Sequence, residues 1–187
     1  MADDTNTNNK DSIILGSGEL FLMEYDGNSV PEDAALETAG NNVGHIKGGA
    51  ELNYTPTEYE VVDDFNYVVK RFITKEEVSF KSGILTWALE NLAKLTPGKV
   101  TEDQAKGEKI LKLGGAQSLK NYALRFVHKK DGGLKLRITM VATASSGFTL
   151  TFKSDSETVV DAQFKAVSQT DGTLVEIRDQ VSAVTGS

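Results

Sequence analysis

The sequence predicts a mainly β protein, a β-sandwich or partly closed barrel with one α-helix on its side. Three observations lead to this class. Segments that alternate apolar and polar residues recur along the chain, two of them are unusually long, and only one stretch has the apolar spacing of a helix. We expect about eight strands, and no repeat of roughly 20–50 residues is evident.

Composition is typical of a globular protein. Of the 187 residues, 39% are hydrophobic, which is enough for a core and too much for a disordered chain. The absence of cysteine excludes a disulfide framework and a cysteine nucleophile, and synthesis in the cytoplasm is the simplest interpretation. We expect neither a secretory signal nor a membrane span, which would need roughly 18 apolar residues. The net charge of −7 argues against a protein that grips nucleic acid by its phosphates.

The first elements are a polar arm and one strand. Residues 1–18 are small and polar, which predicts a flexible N-terminal arm. Residues 19–26 (ELFLMEYD) predict a strand that ends at an Asp-Gly-Asn turn. Residues 30–42 are too rich in glycine, asparagine and proline for a long helix.

Two long strands follow, in a hairpin predicted over residues 43–81. In residues 43–57 the apolar phase contains Leu52 and Tyr54, and Gly48-Gly49 predicts a bulge. Residues 66–81 form the second strand, in which Ile73 breaks the alternation and predicts a bend near Thr74. The residues of this strand that we expect to face the core are Val68, Phe72, Val78 and Phe80.

An acidic connection, residues 58–65, joins the two long strands. Four carboxylates in eight residues suggest a metal or acid–base site, but no histidine or glycine is placed to complete one. We therefore favour a solvated loop or a loop that meets basic groups on a neighbour. Its residues are Glu58, Glu60, Asp63, Asp64 and Phe65.

One amphipathic helix is predicted over residues 84–95, with Ser82 as its N-cap and a Thr-Pro-Gly stop. Trp87 lies beside the apolar stripe and is either a core or an interface residue. The residues expected to pack against the sheet are Ile84, Leu85, Ala88, Leu89 and Leu92.

The rest of the chain predicts short strands. Arg125, Lys135 and Arg137 share the outer face of one hairpin as a basic patch, which is a weak indication of a phosphate site. The predicted elements are a loop at 99–107, a strand at 109–113, a hairpin at 121–128 and 134–142, strands at 148–153, 159–167 and 173–178, and a C-terminal tail at 179–187.

Catalytic signatures are missing from the sequence. His45 and His128 lie in different predicted strands, and no nucleophile elbow or phosphate-binding loop is found. We expect neither an enzyme nor a metal or cofactor site.

The order of elements resembles the tail tube (major tail) proteins of bacteriophages, which are similar to the tubes of contractile bacteriocins and type VI secretion. The resemblance covers residues 18–180 and rests on GELFLMEYDG, the long-strand and helix segment 47–95, and LKNYALRFVHKKDGGLKLRITMVATASSGFTLTF. It implies a tube domain at 19–178, a homo-hexameric ring, and rings that stack into a hollow tube conducting DNA. The long strands would join an intersubunit β-barrel, loop 58–65 would contact the next ring, and the helix would pack on the barrel.

The implied partners are further copies of the chain, a tape measure protein and DNA in the lumen, tail initiator and terminator proteins, and in some tails a sheath, with no membrane contact. The implied location is the virion tail, after assembly in the cytoplasm of a bacterial host. A wall that is acidic on balance would let DNA slide. The residues expected to face the lumen are Glu51, Asn53, Glu77 and Ser79.

Four basic residues depart from this expectation because they lie on the same strands. They must be ion-paired, close to ring interfaces or turned outward, and they are Lys47, Arg71, Lys75 and Lys81. Two other functions stay open: a single-ring tail connector or terminator, and a β-sandwich decoration or adhesion module.

Overall fold

The computed structural model describes residues 18–86, 88–115, 118–130, 132–155 and 157–181. The predicted N-terminal arm before residue 18, Trp87 and the tail beyond residue 181 lie outside the described residues. The elements are β1 (Glu19–Glu24), α1 (Asp33–Leu36), β2 (Ile46–Val62), β3 (Val68–Ile84), α2 (Leu89–Lys94), β4 (Lys99–Asp103), β5 (Glu108–Lys112), β6 (Asn121–Lys129), β7 (Lys135–Ala144), β8 (Val160–Ala166) and β9 (Glu176–Asp179).

Seven of these strands form one antiparallel sheet in the order β1-β6-β7-β8-β3-β2, with β9 paired to the N-terminal half of β7. Strands β4 and β5 form a separate two-stranded sheet. The mainly β class is confirmed, but the large sheet of the single chain does not close into a barrel.

A single core lies on one face of the large sheet. Alternating residues of its strands point to this face, so Leu124, Phe164 and Phe80 are fully buried. The rings of Phe80 and Phe126 lie 5.7 Å apart, and Leu92 of α2 closes the core from outside the sheet. Burial of these side chains is the main source of stability.

The predicted helix 84–95 is wrong in its first half. Strand β3 continues to Ile84, which pairs with both Ile46 and Val160, and α2 begins only at Leu89. The pairing opportunity on both sides of β3 outweighs helix propensity at this point. Of the residues expected to pack through a helix, Ile84 and Leu92 are buried, while the others are half-buried, namely Leu85, Ala88 and Leu89.

Ser82 is not the N-cap of this helix. It lies inside β3, where its Oγ donates a hydrogen bond to the carbonyl of Gly49 at 3.1 Å. The residue that precedes α2 is Ala88, whose side chain cannot cap.

The other predicted strands are found where a neighbouring strand is available for pairing. The hairpin 121–142 is confirmed as β6 and β7, and the strands 19–26, 109–113, 159–167 and 173–178 are found with shifted ends. The predicted strand 148–153 is wrong, because residues 148–153 run as coil with Phe148 and Leu150 against the core. Strand β4 was predicted as a loop.

The predicted basic patch is covered by α1 and is not an open surface. Glu37 accepts hydrogen bonds from Arg137 Nε at 2.6 Å and from Lys135 Nζ at 3.0 Å, and it contacts Arg125 Nη1 at 3.2 Å. Arg125 itself is buried and also donates to Asp33 at 2.5 Å. We call this group the α1 charge cluster, and its members are Asp33, Glu37, Arg125, Lys135, Arg137 and Arg178.

The α1 charge cluster keeps its two carboxyl groups ionised. Burial alone would raise the pKa of Asp33, but hydrogen bonds from Arg178 and Arg125 lower it to about 2. Burial likewise works against ionisation of Glu37, and its bonds to Arg137 and Lys135 lower the pKa of that carboxyl. The outer face of β6 and β7 is therefore a neutralised contact within the subunit.

Candidate assembly surface on a projecting hairpin

The β2–β3 hairpin extends well beyond the rest of the sheet. Its two strands pair from Ile46 with Ile84 to Val62 with Val68, whereas β8 pairs only with the part of β3 from Ser79 to Ile84. Eleven further residues of β3, 68–78, carry the hairpin outward by about 35 Å. We call residues 54–78 the projecting hairpin.

Exposed apolar side chains are concentrated on the projecting hairpin. Of the fourteen large hydrophobic side chains exposed in the described chain, nine lie between residues 54 and 73. They occupy both faces and the turn: Tyr54, Tyr59, Val62, Phe65, Tyr67, Val68, Val69, Phe72 and Ile73. Such a concentration marks a contact surface, because isolated apolar residues are usually scattered.

Both backbone edges of the projecting hairpin are open within the described chain. Strand β2 pairs with β3 alone, and β3 has β2 as its sole described partner from Val68 to Val78. Unpaired N–H and C=O groups along a strand of 17 residues form a template for another strand. The hairpin can therefore take part in pairing between chains.

Three irregularities interrupt the pairing of β2 with β3. Lys47 pairs with Gly83 and Ala50 with Ser82, so Gly48 and Gly49 are extra residues, as the sequence predicts. Both glycines have φ near +80°, a conformation that costs other residues energy.

The second and third irregularities are in β3. Thr57 pairs with Lys75 and Glu58 with Ile73, so Thr74 is an extra residue, in agreement with the predicted bend. Val69 is skipped in the same way nearer the turn.

The acidic connection is shorter than predicted. Glu58 and Glu60 belong to β2, where Glu60 accepts a hydrogen bond from Arg71 Nε at 2.7 Å. This bond raises the pKa of Arg71, so the guanidinium stays charged. The predicted loop is therefore strand as far as Val62, and the connecting turn is confined to residues 63–67.

The turn itself is built around one carboxylate. Asp63 Oδ1 accepts hydrogen bonds from the backbone N–H groups of Phe65 and Tyr67, both at 2.9 Å. Asn66 adopts φ of 63°, which asparagine tolerates. The neighbouring Asp64 is exposed and Phe65 is 81% exposed, so the turn presents a carboxylate beside an aromatic ring.

The residues expected to face a lumen share one face of the hairpin, the face away from the core. Asn53 and Ser79 are direct cross-strand partners, while Glu51 is opposite Lys81 and Glu77 is opposite Thr55. We call this the polar face. Strand register brings the four predicted residues together, although nothing in a single chain shows what this face contacts.

The polar face carries more lysines than carboxylates and is not acidic as expected. Register places three carboxylates and five lysines of the described strands on it: Glu51, Glu77, Asp161, Lys47, Lys70, Lys75, Lys81 and Lys165. A hydrogen bond from Lys75, at 2.5 Å, lowers the pKa of Glu77. Lys165 joins this face only through the pairing of β8 with β3, which spacing in the sequence does not show.

Each of the four basic residues that departed from the expectation forms an ion pair. Lys81 lies 3.8 Å from Glu51, and Lys75 contacts Glu77 on the polar face. Arg71 is on the opposite face with Glu60, and Lys47 contacts Glu157. These four cations are thus neutralised within the subunit.

The described part of the chain assembles no metal centre. No group of three or more histidine or acidic side chains is close enough there to hold a metal ion. Within the same residues, no helix is long and apolar enough to cross a membrane. A scan against models of protein families finds no match to the chain, and a comparison with curated proteins finds none either.

Proposed function

We propose that this chain is the structural subunit of a phage tail tube, not an enzyme, and that its hexameric rings stack into a hollow conduit for DNA. One observation carries the proposal: the projecting hairpin, with two open edges and nine exposed apolar side chains. Such a surface is costly to leave in water and is complete only when another chain covers it.

The open sheet supports closure between subunits. The large sheet of one chain ends at the unpaired edge of β2. In a ring, the edge of one subunit meets the next subunit, and the closed barrel removes every free edge. The polar face would then line the lumen, because the opposite face of β3 carries the buried Val78 and Phe80.

Ion pairing of the lysines on the polar face supports passage of DNA. A duplex carries one negative charge per roughly 1.7 Å and is retained by unpaired cations. Lys75 and Lys81 already contact carboxylates of the same face. Lys47 is likewise paired, with Glu157, so three of the five lysines of this face already contact a carboxylate. A wall with most of its cations paired holds the duplex weakly, which is what transient contact with DNA and a tape measure protein requires.

The proposal is tested by electron microscopy of the purified chain over a concentration series. We expect hollow tubes or stacked sixfold rings. In the matched variant, residues 56–76 are replaced by Asn-Gly, which retains the pairing of Thr55 with Glu77 and the buried Val78. This variant should fold, with the far-ultraviolet circular dichroism of a β protein, and should form no tubes.

A control variant receives the same Asn-Gly replacement in the β4–β5 turn, residues 104–107, and should assemble like the unchanged chain. Closed single rings from the unchanged chain would instead assign it to a connector or terminator. Strictly monomeric particles at every concentration would favour a decoration or adhesion module. Either result would overturn the tube proposal.

A further inference from the structure

Two lysines at the open end of the β4–β5 sheet lack a carboxylate partner. Lys99 and Lys112 are direct cross-strand partners, and both are exposed. Neither forms an ion pair with a described residue, and like charges in this position repel each other. The acidic side chains nearby contact other lysines: Glu24 lies 2.9 Å from Lys120, and Glu90 is similarly paired.

In each of the other basic pairs that face each other across described strands, at least one cation contacts a carboxylate. In Lys129–Lys135, the second lysine contacts Glu37 at 3.0 Å. In Arg137–Arg178, both guanidinium groups contact an acidic residue of α1. The uncompensated pair on β4 and β5 is therefore unlike the rest of the fold and suited to an acidic partner.

One exposed leucine adjoins the lysine pair in the chain, and a second adjoins a lysine of the depression that Lys99 lines. Leu113 directly follows Lys112 and is 54% exposed. Leu119 is 55% exposed and precedes Lys120, which lines the same surface depression as Lys99. We call Lys99, Lys112, Leu113 and Leu119 the lysine–leucine surface. It fits a partner that presents a carboxylate next to a large apolar side chain.

The turn of the projecting hairpin has this chemistry. The carboxylate of Asp63 is used within the turn, but that of Asp64 forms no ion pair or hydrogen bond with a described residue. Phe65 follows it and is the most exposed large hydrophobic side chain of the hairpin, at 81%. The backbone of the turn is held by Asp63, so both groups are presented in a fixed arrangement.

The turn and the lysine–leucine surface lie toward opposite ends of the molecule. Strand β3 runs 17 residues from the turn to Ile84, about 55 Å. Helix α2 follows at that far end, where Asn91 Nδ2 donates to the carbonyl of Val43 at 2.9 Å. Gly98 then packs so closely that an added Cβ would lie 2.9 Å from the Lys112 carbonyl oxygen. A contact between opposite ends is head-to-tail, and it repeats from copy to copy along a filament when the rotation between copies does not close a ring.

We infer that the lysine–leucine surface receives the hairpin turn of a second copy, with Asp64 between Lys99 and Lys112 and Phe65 against the two leucines. This inference rests on the proposed stacking of subunits and identifies the surface on which each added subunit docks.

Site-specific cross-linking tests the contact directly, because the chain has no cysteine of its own. The full chain is made with Asp64→Cys and Lys112→Cys and treated with a short bismaleimide. We expect a ladder of cross-linked oligomers on a denaturing gel. The control carries Asp64→Cys and Lys153→Cys, since Lys153 is also exposed and has no ion pair with a described residue, and it should give no ladder.

Charge reversal provides the second measurement. Lys112→Glu and Asp64→Lys should each raise the concentration needed for stacking by about tenfold, and the two changes in one chain should restore it. Tubes without a ladder, or tubes unaffected by both single changes, would overturn this inference and leave the proposed function standing. A ladder without tubes would overturn the tube and retain the contact, and the absence of both would overturn both.

Discussion

Replacing Glu37 by glutamine should destabilise the subunit by about 3 kcal/mol. The carboxylate is 12% exposed and contacts three basic side chains, the nearest being Arg137 Nε at 2.6 Å. Glutamine keeps the shape but not the charge, so the buried guanidinium of Arg125 loses one of its two carboxylate partners. Removing one partner of a buried ion pair costs roughly 3–5 kcal/mol, and we take the lower value because Asp33 remains.

The assay is urea denaturation in dilute solution, followed by tryptophan fluorescence and circular dichroism. Thermal denaturation gives a second measurement, since a loss of about 3 kcal/mol lowers the melting temperature of a chain of 187 residues by roughly 6–12 °C. The control is Glu90→Gln, which removes an equally short ion pair to Lys109 whose side chains are 51% and 53% exposed. Because exposed pairs contribute little, the control should change stability by no measurable amount.

Equal effects of the two substitutions would refute this reasoning. They would mean that α1 does not bury its carboxylates against β6 and β7 in solution, and that the basic face of the β6–β7 hairpin is exposed to solvent.

Three further predictions concern the core, the pH response and the turn. Phe80→Ala should cost about 3–5 kcal/mol in urea denaturation, whereas Phe72→Ala, at a site 46% exposed, should leave the free energy of unfolding of the monomer nearly unchanged. The pKa of Asp33 is 3.8 in the unfolded chain and about 2 in the folded one, so its ionised form stabilises the fold fully above pH 3.8. This contribution is lost as the pH falls towards about 2, and the melting temperature should drop over the same pH range. Asp63→Ala should speed hydrogen exchange at the Tyr67 amide, because that N–H donates to the Asp63 carboxylate at 2.9 Å. Hydrogen exchange followed by mass spectrometry measures the rate, and an unchanged rate would contradict the prediction.

Strand alternation predicted the elements whose neighbours are also strands. In residues 121–142 the apolar phase of each strand packs on the core and the turn is short, so local pattern and tertiary pairing agree. The break in alternation at Ile73 likewise indicated the extra residue at Thr74, because an inserted residue shifts the phase of everything beyond it.

The predictions from alternation are wrong where pairing with a neighbouring strand decides the structure. Residues 148–153 alternate as a strand should, but β8 already occupies the adjacent edge of β7 at Ala142 and Ala144, so the segment stays coil. Ile84 fits an apolar helical stripe and also the strand phase of Val78 and Phe80, and pairing on both sides selects the strand. Spacing alone does not separate these outcomes.

The candidate surface was partly visible in the sequence. The length of the two strands and the four polar-face residues follow from alternation, since register then places them together. The excess of lysines did not follow in full, because Lys165 reaches this face from β8, a strand far along the chain. The covering of Arg125 was also missed, although Asp33 and Glu37, four residues apart, are a pattern that can place two carboxylates on one side of a helical turn.

The inserted residues make the two unpaired edges of the projecting hairpin differ in their ability to pair with another strand. Val69 and Thr74 interrupt the unpaired edge of β3, which also carries Lys70 and Lys75. Bulges and lysines on a strand edge both oppose pairing with a further strand. Between Ala50 and Val62, by contrast, β2 contains no inserted residue. In the proposed tube, the edge of β2 would therefore accept a strand of the next subunit more readily than the edge of β3, and subunits would add with one polarity.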